Sequence, residues 1–231
     1  MAVISIHQPN YFPWLGYFKK VYHSEYFIFL DDVQFSKGSY TNRVNILCEG
    51  QKKWLTVPID NRLGLSINNI KLVKNNWKEQ HLRIIESYYK KSCYFNEVYS
   101  VIEKLLNDIN SNNLSEVNIL IIKKISNILK INTRIIKAST LNIDGELYGD
   151  DRLIAIIKKL DLGGNITYFS GSGGSNYQCE KKFEANCIKV KYINNNFKTY
   201  DQIGSSEFIN GLSILDALFN VGWEATKKLI K

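Results

Sequence analysis

The sequence predicts an α/β fold with a mostly parallel β-sheet and a helical middle region. The first 30 residues follow a strand, helix and strand pattern, and the same alternation returns after residue 133. Between residues 77 and 130, apolar side chains recur at helical spacing. Hydrophobic residues make up 45% and charged residues 23% of the chain, which excludes a disordered protein.

The first three elements predict a β-helix-β unit. Residues 2–6 form an apolar, β-branched run, 14–22 have a helical pattern, and 26–30 are again apolar. Such a unit favours neighbouring parallel strands, as in Rossmann-like folds, with ligand groups at the carboxyl ends of the strands. These ends are His7-Gln8 and Asp31-Asp32.

The later elements follow as apolar runs and helical patterns, with no linker or repeat between them. We therefore expect one domain, residues 1–231, in which residues 77–130 form a helical insertion or subdomain. The predicted elements are hairpin strands at 44–48 and 53–57, helices at 77–90, 98–109 and 115–129, a strand at 133–136, a helix from residue 150 to 160, strands at 166–169 and 187–192, and a C-terminal helix after Ser213.

The net charge of +8, from 30 basic and 22 acidic residues, is typical of proteins that bind phosphate-bearing partners. The many asparagines and isoleucines that accompany the lysines indicate instead the codon bias of an AT-rich genome. A basic run at 123–137 lies inside a helical pattern, where lysines typically form a solvated face. We therefore expect a small-molecule partner and no nucleic acid.

The sequence predicts neither a membrane span nor a disulfide framework. No apolar run approaches the roughly 18–20 residues that a span needs, and the N-terminus lacks the basic segment of a secretory signal. The four cysteines include no Cys-x-x-Cys pair, so a zinc knuckle is not indicated either. We expect a cytoplasmic protein, and its oligomeric state stays open.

The first candidate site is the run from His7 to Tyr17, HQPNYFPWLGY. It places polar side chains on a proline-stiffened loop at the end of a strand, among several aromatic side chains. Such a loop is typical of a ligand pocket, although a loop that only packs, with His7 bonded to backbone, is the alternative. The pocket candidates in this run are His7, Gln8, Asn10, Tyr11, Trp14 and Tyr17.

The second candidate site follows the next strand. Asp31 and Asp32 are adjacent, so their side chains point in different directions and at most one faces the pocket of His7. Lys37 and Arg43 carry charge that could hold phosphate or carboxylate groups. An Asx-turn and a solvated basic loop are the alternative. The amides that complete this set of candidates are Gln34 and Asn42.

The third candidate site is the glycine-rich loop at 170–177, SGSGGSNY, directly after a strand. Glycines let backbone N–H groups approach an anion, and a helix beginning near Asn176 would add its positive end. The loop matches neither the Walker nor the dinucleotide-binding pattern, and a flexible connection is the alternative. The phosphate-binding candidates are Ser170, Gly171, Gly173 and Gly174, with Tyr177 as a substrate-binding neighbour.

Further polar residues lie on predicted helices. Asp151 and Arg152 open one helix, where we expect a cap and one functional charge. We expect His81 to lie on a helix surface. Together with His7 and the two adjacent aspartates it has the chemistry of a metal ligand, but no spacing requires such a site, so no metal is predicted.

Several long motifs, in this order along the chain, resemble the WbqC-like protein family. They are HQPNYFPWLGYF at 7–18, FLDDVQFSK at 29–37, NR at 42–43, WLTVP at 54–58, DRL at 151–153, YFSG at 168–171 with the glycines and tyrosine after it, and LSILDALFN at 212–220. This bacterial family is often encoded among functions of surface-polysaccharide (O-antigen) biosynthesis. The resemblance implies an enzyme that modifies sugars or similar metabolites, with aminoacyl or acyl transfer as one suggested activity.

We therefore expect a transferase acting on a phosphorylated or nucleotide-linked sugar. In it, His7 is the general base, Asp31 or Asp32 orients it, and Arg43 with the glycine-rich loop holds phosphate. One alternative is an ATP-dependent nucleotidylyl or adenylyl transferase with Mg²⁺ on the carboxylates, although Tyr17 stands where the His-x-Gly-His loop of those enzymes has its second histidine. Another alternative is a non-catalytic sugar-binding accessory protein. No other cofactor is expected.

Overall fold

The computed structural model describes residues 2–60, 64–73, 76–194 and 196–231. The strands are β1 (Ala2–His7), β2 (Tyr26–Phe29), β3 (Arg43–Cys48), β4 (Gln51–Thr56), β5 (Ile59–Asp60), β6 (Lys71–Leu72), β7 (Arg134–Lys137), β8 (Ile166–Ser170) and β9 (Ile188–Tyr192). The helices are α1 (Leu15–Tyr22), α2 (Trp77–Tyr89), α3 (Phe95–Asn107), α4 (Leu114–Ile128), α5 (Gly149–Lys159), α6 (Glu180–Glu184) and α7 (Ile214–Ile230).

Within these residues the main sheet has five parallel strands in the order β7-β2-β1-β8-β9. From β1 the chain moves outward through β2 to β7, and then returns to β8 on the other side of β1. The prediction of an α/β fold with a mostly parallel, Rossmann-like sheet is therefore confirmed. The direction of winding reverses between β1 and β8, and such a switch point is where open α/β sheets bind ligands.

The carboxyl ends of β1 and β8 separate at this switch point. The two strands pair from Ala2 opposite Ile166 to Ile4 opposite Tyr168, whereas β1 and β2 remain paired as far as His7. The last residues of β1 are thus open toward β8. This geometry leaves a crevice at the edge of the sheet where the polar loops meet.

Apolar side chains cover both faces of the sheet. Side chains alternate along a strand, so Phe27 and Phe29 of β2 face one core while Ile28 faces the other. The first core includes buried residues of α1, β3, α2, α3, α4 and α7. The second core lies under α5 and α6. The helical region therefore shares a continuous core with the first β-helix-β unit.

Two local predictions differ from the structure. The glycine-rich loop continues into a 3₁₀ turn over Ser172–Asn176, and α6 begins only at Glu180, because serine and glycine are weak helix formers. His81 is buried and not on a helix surface. Its Nδ1 atom lies 2.8 Å from the hydroxyl of Tyr11, and this bond compensates the burial of both polar groups.

Candidate functional site

A cavity of about 780 Å³ lies at the carboxyl ends of β1 and β8. Its walls are the loop after β1, the inner face of α1, the segment after β2, the start of α5 with the loop before it, and the glycine-rich loop. The volume is in the range of pockets that enclose a small-molecule ligand. The predicted site residues that line this cavity are His7, Gln8, Trp14, Tyr17, Asp32, Gln34, Arg152, Ser170, Gly171, Gly173, Gly174 and Tyr177.

His7 is held on one side of the cavity by backbone and aromatic contacts. Its Nδ1 atom lies 3.1 Å from the carbonyl oxygen of Gln8, and since that oxygen can only accept, Nδ1 carries the proton. The ring lies edge-on to Tyr17 and Trp14, with centroids 4.8 and 5.9 Å away. The nitrogen left as an acceptor is therefore Nε2.

The electrostatics of the cavity keep His7 neutral. Burial, reinforced by the nearby charge of Lys20, lowers the pKa of His7 to about 3, and the bond to Gln8 opposes this only in part. The expected orienting carboxylate is absent from this geometry, because the partner of Nδ1 is the Gln8 carbonyl. Tyr17 donates a second hydrogen bond to the same carbonyl at 2.9 Å, which fixes the acceptor in place.

Lys20 also lines the cavity, and no candidate set above includes it. Its side chain is only 3% exposed, and its ammonium group donates to the carbonyl oxygen of Ile6 at 2.8 Å. Burial lowers the pKa of Lys20 to about 7. The sequence did contain a signal for Lys20. It lies four positions after Gly16 and three after Tyr17, so all three residues share one face of α1.

Asp32 and Arg152 both line the cavity and form an ion pair of 2.7 Å, with both side chains mostly buried. Arg152 also donates to the carbonyl of Asp144 at 3.0 Å, which fixes the guanidinium relative to the loop before α5. Asp32 Oδ1 and Arg152 Nε have no hydrogen-bond partner among the described residues. The pair therefore leaves one acceptor, Asp32 Oδ1, and one donor, Arg152 Nε, in the wall of the cavity without a partner from the described part of the chain.

Asp31 has a separate position and does not line the cavity. It is 2% exposed and accepts hydrogen bonds from the backbone N–H and the hydroxyl of Ser139, at 3.0 and 2.7 Å. These bonds tie the segment after β2 to the segment after β7. Asp31 is therefore a structural residue in this geometry, and its predicted catalytic role has no support from its position.

The backbone of the glycine-rich loop packs closely against two side chains, those of Ser170 and Gln178. Ser170 Oγ donates to Gln178 Oε1 at 2.8 Å, and a Cβ atom on Gly174 would approach these two oxygens to 2.4 and 2.5 Å. Only glycine therefore fits at position 174 without moving them. The N–H of Gly174 bonds to the carbonyl of Gly171 inside the loop, so that part of the loop is closed on itself.

Two exposed tyrosines stand at the rim of the cavity. Tyr177 is 76% exposed on the glycine-rich loop, and Tyr148 is 83% exposed directly before α5. Sequence reasoning included Tyr177 and missed Tyr148, because nothing local distinguishes a loop tyrosine that faces a cavity from one that faces solvent. Aromatic faces at the mouth of a cavity can stack on a base or a sugar ring.

Several predicted binding residues are engaged elsewhere. The guanidinium of Arg43 stacks on Trp54, with its central carbon 4.0 Å from the ring centroid, and it donates to the Gly38 carbonyl. Tyr11 is completely buried against His81. The predicted residues that do not line the cavity are Asn10, Tyr11, Asp31, Lys37, Asn42, Arg43 and Asp151.

Local contacts explain the position of the other members of this set. Asn42 donates to the carbonyl of Val57 at 3.2 Å, within the fold of the hairpin. Asp151 pairs with Lys182 of α6 at 2.9 Å on the surface. Lys37 is exposed in the segment after β2. Of the predicted positive charges, Arg152 lines the cavity while Lys37 and Arg43 do not, and Lys20 is a lining cation that was not predicted.

The described residues contain no group of three or more histidine, cysteine, aspartate or glutamate side chains that could hold a metal ion. Asp32 is paired with Arg152, and Asp31 is bonded to Ser139. The two carboxylates proposed for Mg²⁺ thus have other partners, and their donor set does not fit that ion. In the same part of the chain, no helix has both the length and the apolar character needed to cross a membrane.

Comparisons with known proteins match nearly the whole chain, including the segments that line the cavity. A model described as the WbqC-like protein family matches residues 8–228. Rv1507c of Mycobacterium tuberculosis (strain ATCC 25618 / H37Rv), described as an uncharacterized protein, is 29% identical over 229 residues, covering 97% of this chain and 96% of that protein. No solved structure matches the chain significantly.

Proposed function

The chain belongs to the WbqC-like protein family, and from this membership and the cavity we propose that it is a transferase of bacterial surface-polysaccharide biosynthesis. The substrate proposed is a phosphorylated or nucleotide-linked sugar, which receives an acyl or aminoacyl group. The observation that carries this proposal is the cavity at the switch point, where His7, Lys20 and the Asp32–Arg152 pair converge.

The composition of the cavity fits a nucleotide-linked sugar. A volume of about 780 Å³ is sufficient for a ligand with a base, a sugar and a diphosphate. Tyr148 and Tyr177 at the rim offer faces on which a ring can stack. Asp32 and Arg152 offer an acceptor and donors of the kind that recognise sugar hydroxyls.

His7 is the proposed proton acceptor of the reaction. Because its pKa is about 3, the ring is neutral throughout the neutral pH range and Nε2 keeps its lone pair; an anion beside Lys20 would offset that charge and raise the basicity of the ring. As the hydroxyl or amine of the acceptor attacks the carbonyl carbon of the donor, its proton passes to Nε2. The same proton then goes to the leaving group, so the histidine returns to its initial state.

Nucleotidylyl transfer is the second candidate. Two features favour it: the order of the strands, and a histidine at the end of β1 at the switch point. This argument rests on an analogy with the fold of nucleotidylyltransferases. That reaction uses a divalent cation on the phosphates, and the partners of Asp31 and Asp32 leave these carboxylates poorly suited to hold one.

Thermal shift tests the proposal first, since a ligand that binds the folded state raises its melting temperature. We expect nucleotide-linked sugars to raise the Tm without Mg²⁺. A rise with ATP that requires Mg²⁺ would favour nucleotidylyl transfer. No rise with any nucleotide-linked or phosphorylated sugar would contradict the proposed substrate class.

Turnover tests the proposed reaction. The protein and the ligand found by thermal shift are incubated with acyl-coenzyme A or aminoacyl-adenylate donors, and mass spectrometry measures whether the mass of the acceptor increases. We expect His7→Ala to lower turnover by about 10²–10⁴-fold while the Tm rise persists. His23→Ala is the matched control, because His23 is exposed and bonded to the carbonyl of Lys231. Sugar binding without any turnover would indicate an accessory binding protein.

A further inference from the structure

Lys20 is a buried cation without a carboxylate partner. Its ammonium group bonds to the carbonyl of Ile6 at 2.8 Å, in the crevice where β1 and β8 separate. No described carboxylate forms an ion pair with it. An ammonium group has three donors, and a buried charge with one neutral acceptor is incompletely compensated.

We propose that Lys20 is the group that binds the phosphate of the ligand, and that phosphate binding is accompanied by uptake of a proton on Lys20. This proposal deepens the transferase proposal, on which it rests for the place of the ligand. It assigns the phosphate to the crevice between β1 and β8, beside the glycine-rich loop.

The other cations of the region are committed elsewhere. Arg152 lines the cavity but is paired with Asp32 at 2.7 Å. Arg43 is stacked on Trp54, and Lys37 does not line the cavity. Within the part of the chain that the structure describes, Lys20 is thus the cavity-lining cation that has no acidic partner. A phosphate in the cavity would supply that partner and stabilise the charged form.

The titration of Lys20 falls in the neutral range. With a pKa of about 7, it has both its charged and its neutral form populated in the neutral range. His7, Tyr17 and Tyr168 face the cavity from β1, α1 and β8. His7 stays neutral because its pKa is about 3, and burial raises the pKa of Tyr17 well above its usual value and that of Tyr168 to about 12.

The remaining charged residues that line the cavity are the paired Asp32 and Arg152, and the remaining titratable ones are Tyr148 and Tyr177. An anion binds the protonated form of Lys20, so affinity is greatest below pH 7 and falls as the pH rises above it. Well above pH 7 the fall approaches tenfold per pH unit for a single proton. Binding also has a consequence for His7, whose pKa rises when an anion offsets the charge of Lys20.

The first experiment follows Lys20 in the unaltered protein. The ¹³Cε resonance of Lys20, assigned by its loss in Lys20→Arg, is titrated with pH in the absence and presence of sulfate. Sulfate is a tetrahedral anion whose charge is constant in the neutral range. We expect sulfate to raise the apparent pKa of Lys20. An unchanged titration curve at saturating sulfate would overturn the proposal, whether or not the protein is a transferase.

The second experiment compares neighbouring lysines. Lys20→Met removes the positive charge that lines the cavity. Lys19→Met is the control, because it removes a positive charge from a neighbouring lysine whose ammonium group lies over the ring of Phe197. At about pH 6, Lys20→Met should weaken binding of uridine diphosphate by about 10- to 100-fold, the effect of one charge-assisted hydrogen bond. Lys19→Met should bind like the unaltered protein.

Lys20→Arg keeps the charge but does not titrate in this range, so its binding should lose the decline above pH 7. Circular dichroism establishes that each variant is folded before binding is measured. Equal affinities of the folded Lys20→Met and Lys19→Met variants would contradict the assignment. If the transferase proposal fails but sulfate still raises the apparent pKa of Lys20, the protein has the proposed anion site without the proposed transferase activity.

Discussion

At the scale of single residues, the adjacent carboxylates Asp31 and Asp32 have different tasks. Asp31 accepts two hydrogen bonds from Ser139, while Asp32 pairs with Arg152 in the wall of the cavity. Both lie in the segment after β2, where successive side chains point in different directions. Sequence reasoning therefore limited the cavity to one of them, and the fold selected Asp32.

This division of tasks predicts that replacing Asp31 destabilises the fold. Asp31→Ala removes the acceptor of a buried N–H and a buried hydroxyl, so we expect the free energy of unfolding to fall by about 1–3 kcal/mol. Urea unfolding monitored by circular dichroism measures this change. Asp201→Ala, at an exposed position, is the control and should lie within about 0.5 kcal/mol of the unaltered protein. Equal unfolding free energies of both variants would refute the structural role of Asp31.

The protonation of His7 also belongs to this scale. A histidine with its ordinary pKa near 6.5 would impose a rise of activity with pH in that range. In the structure its pKa is about 3, so it remains neutral there, and the group that changes charge near pH 7 is Lys20. A pH profile of activity that follows the titration of His7 is therefore not expected. Burial beside a positive charge is the physical reason.

At the scale of elements, α7 contains a kink that only glycine accommodates. Gly222 has a φ of +75°, and a Cβ atom there would lie 2.7 Å from the ring of Tyr94. Tyr94 precedes α3, so the kink lets α7 pack closely against the helical region. The glycine is needed both for its backbone conformation and for this contact.

Replacement of this glycine should destabilise the protein measurably. For Gly222→Ala we expect a loss of about 1–3 kcal/mol in the free energy of unfolding, from left-handed strain and the clash with Tyr94. Gly145→Ala is the matched control, because a Cβ atom at Gly145 meets no atom within 4 Å. Both variants are compared by urea unfolding. A Gly222→Ala variant as stable as Gly145→Ala would show that α7 can relax without cost.

At the scale of the whole molecule, one apolar core joins the sheet and the helical region. Phe18 of α1, Phe29 of β2, Ile85 of α2, Ile122 of α4 and Phe219 of α7 belong to the same cluster of buried residues. A helical insertion with a core of its own would show separate clusters. The shared core indicates that the two parts stabilise each other, and whether the helical region is a separate subdomain stays a prediction.

This arrangement predicts cooperative unfolding. Although chains of this length often unfold through intermediates, the shared core should give one urea transition, with coincident midpoints by tryptophan fluorescence and far-ultraviolet circular dichroism. Trp14 lies beside the cavity and Trp77 begins α2, so fluorescence reports on both parts. Replacing residues 77–129 by a short glycine-serine linker should prevent folding. A folded, truncated protein or two separate transitions would identify the helical region as an independent subdomain.

Local patterns in the sequence determined the elements of the fold and much of the cavity. Apolar periodicity depends on neighbours along the chain, so it placed β1, α1 and β2 and predicted a parallel sheet with His7 at a strand end. The glycine-rich loop after β8 was recognisable for the same reason. These features follow from backbone geometry that each segment carries by itself.

Tertiary structure alone decided which polar groups face one another. Asp32 meets Arg152 across 120 positions of the chain, and no local pattern encodes that distance in space. Lys20 belonged to no predicted set, because its position on the face of α1 with Gly16 and Tyr17 gives no measure of burial, yet the crevice between β1 and β8 buries it and lowers its pKa. Burial and charge proximity depend on the packing of distant segments, so the chemistry of the cavity could be assigned only after folding brought them together.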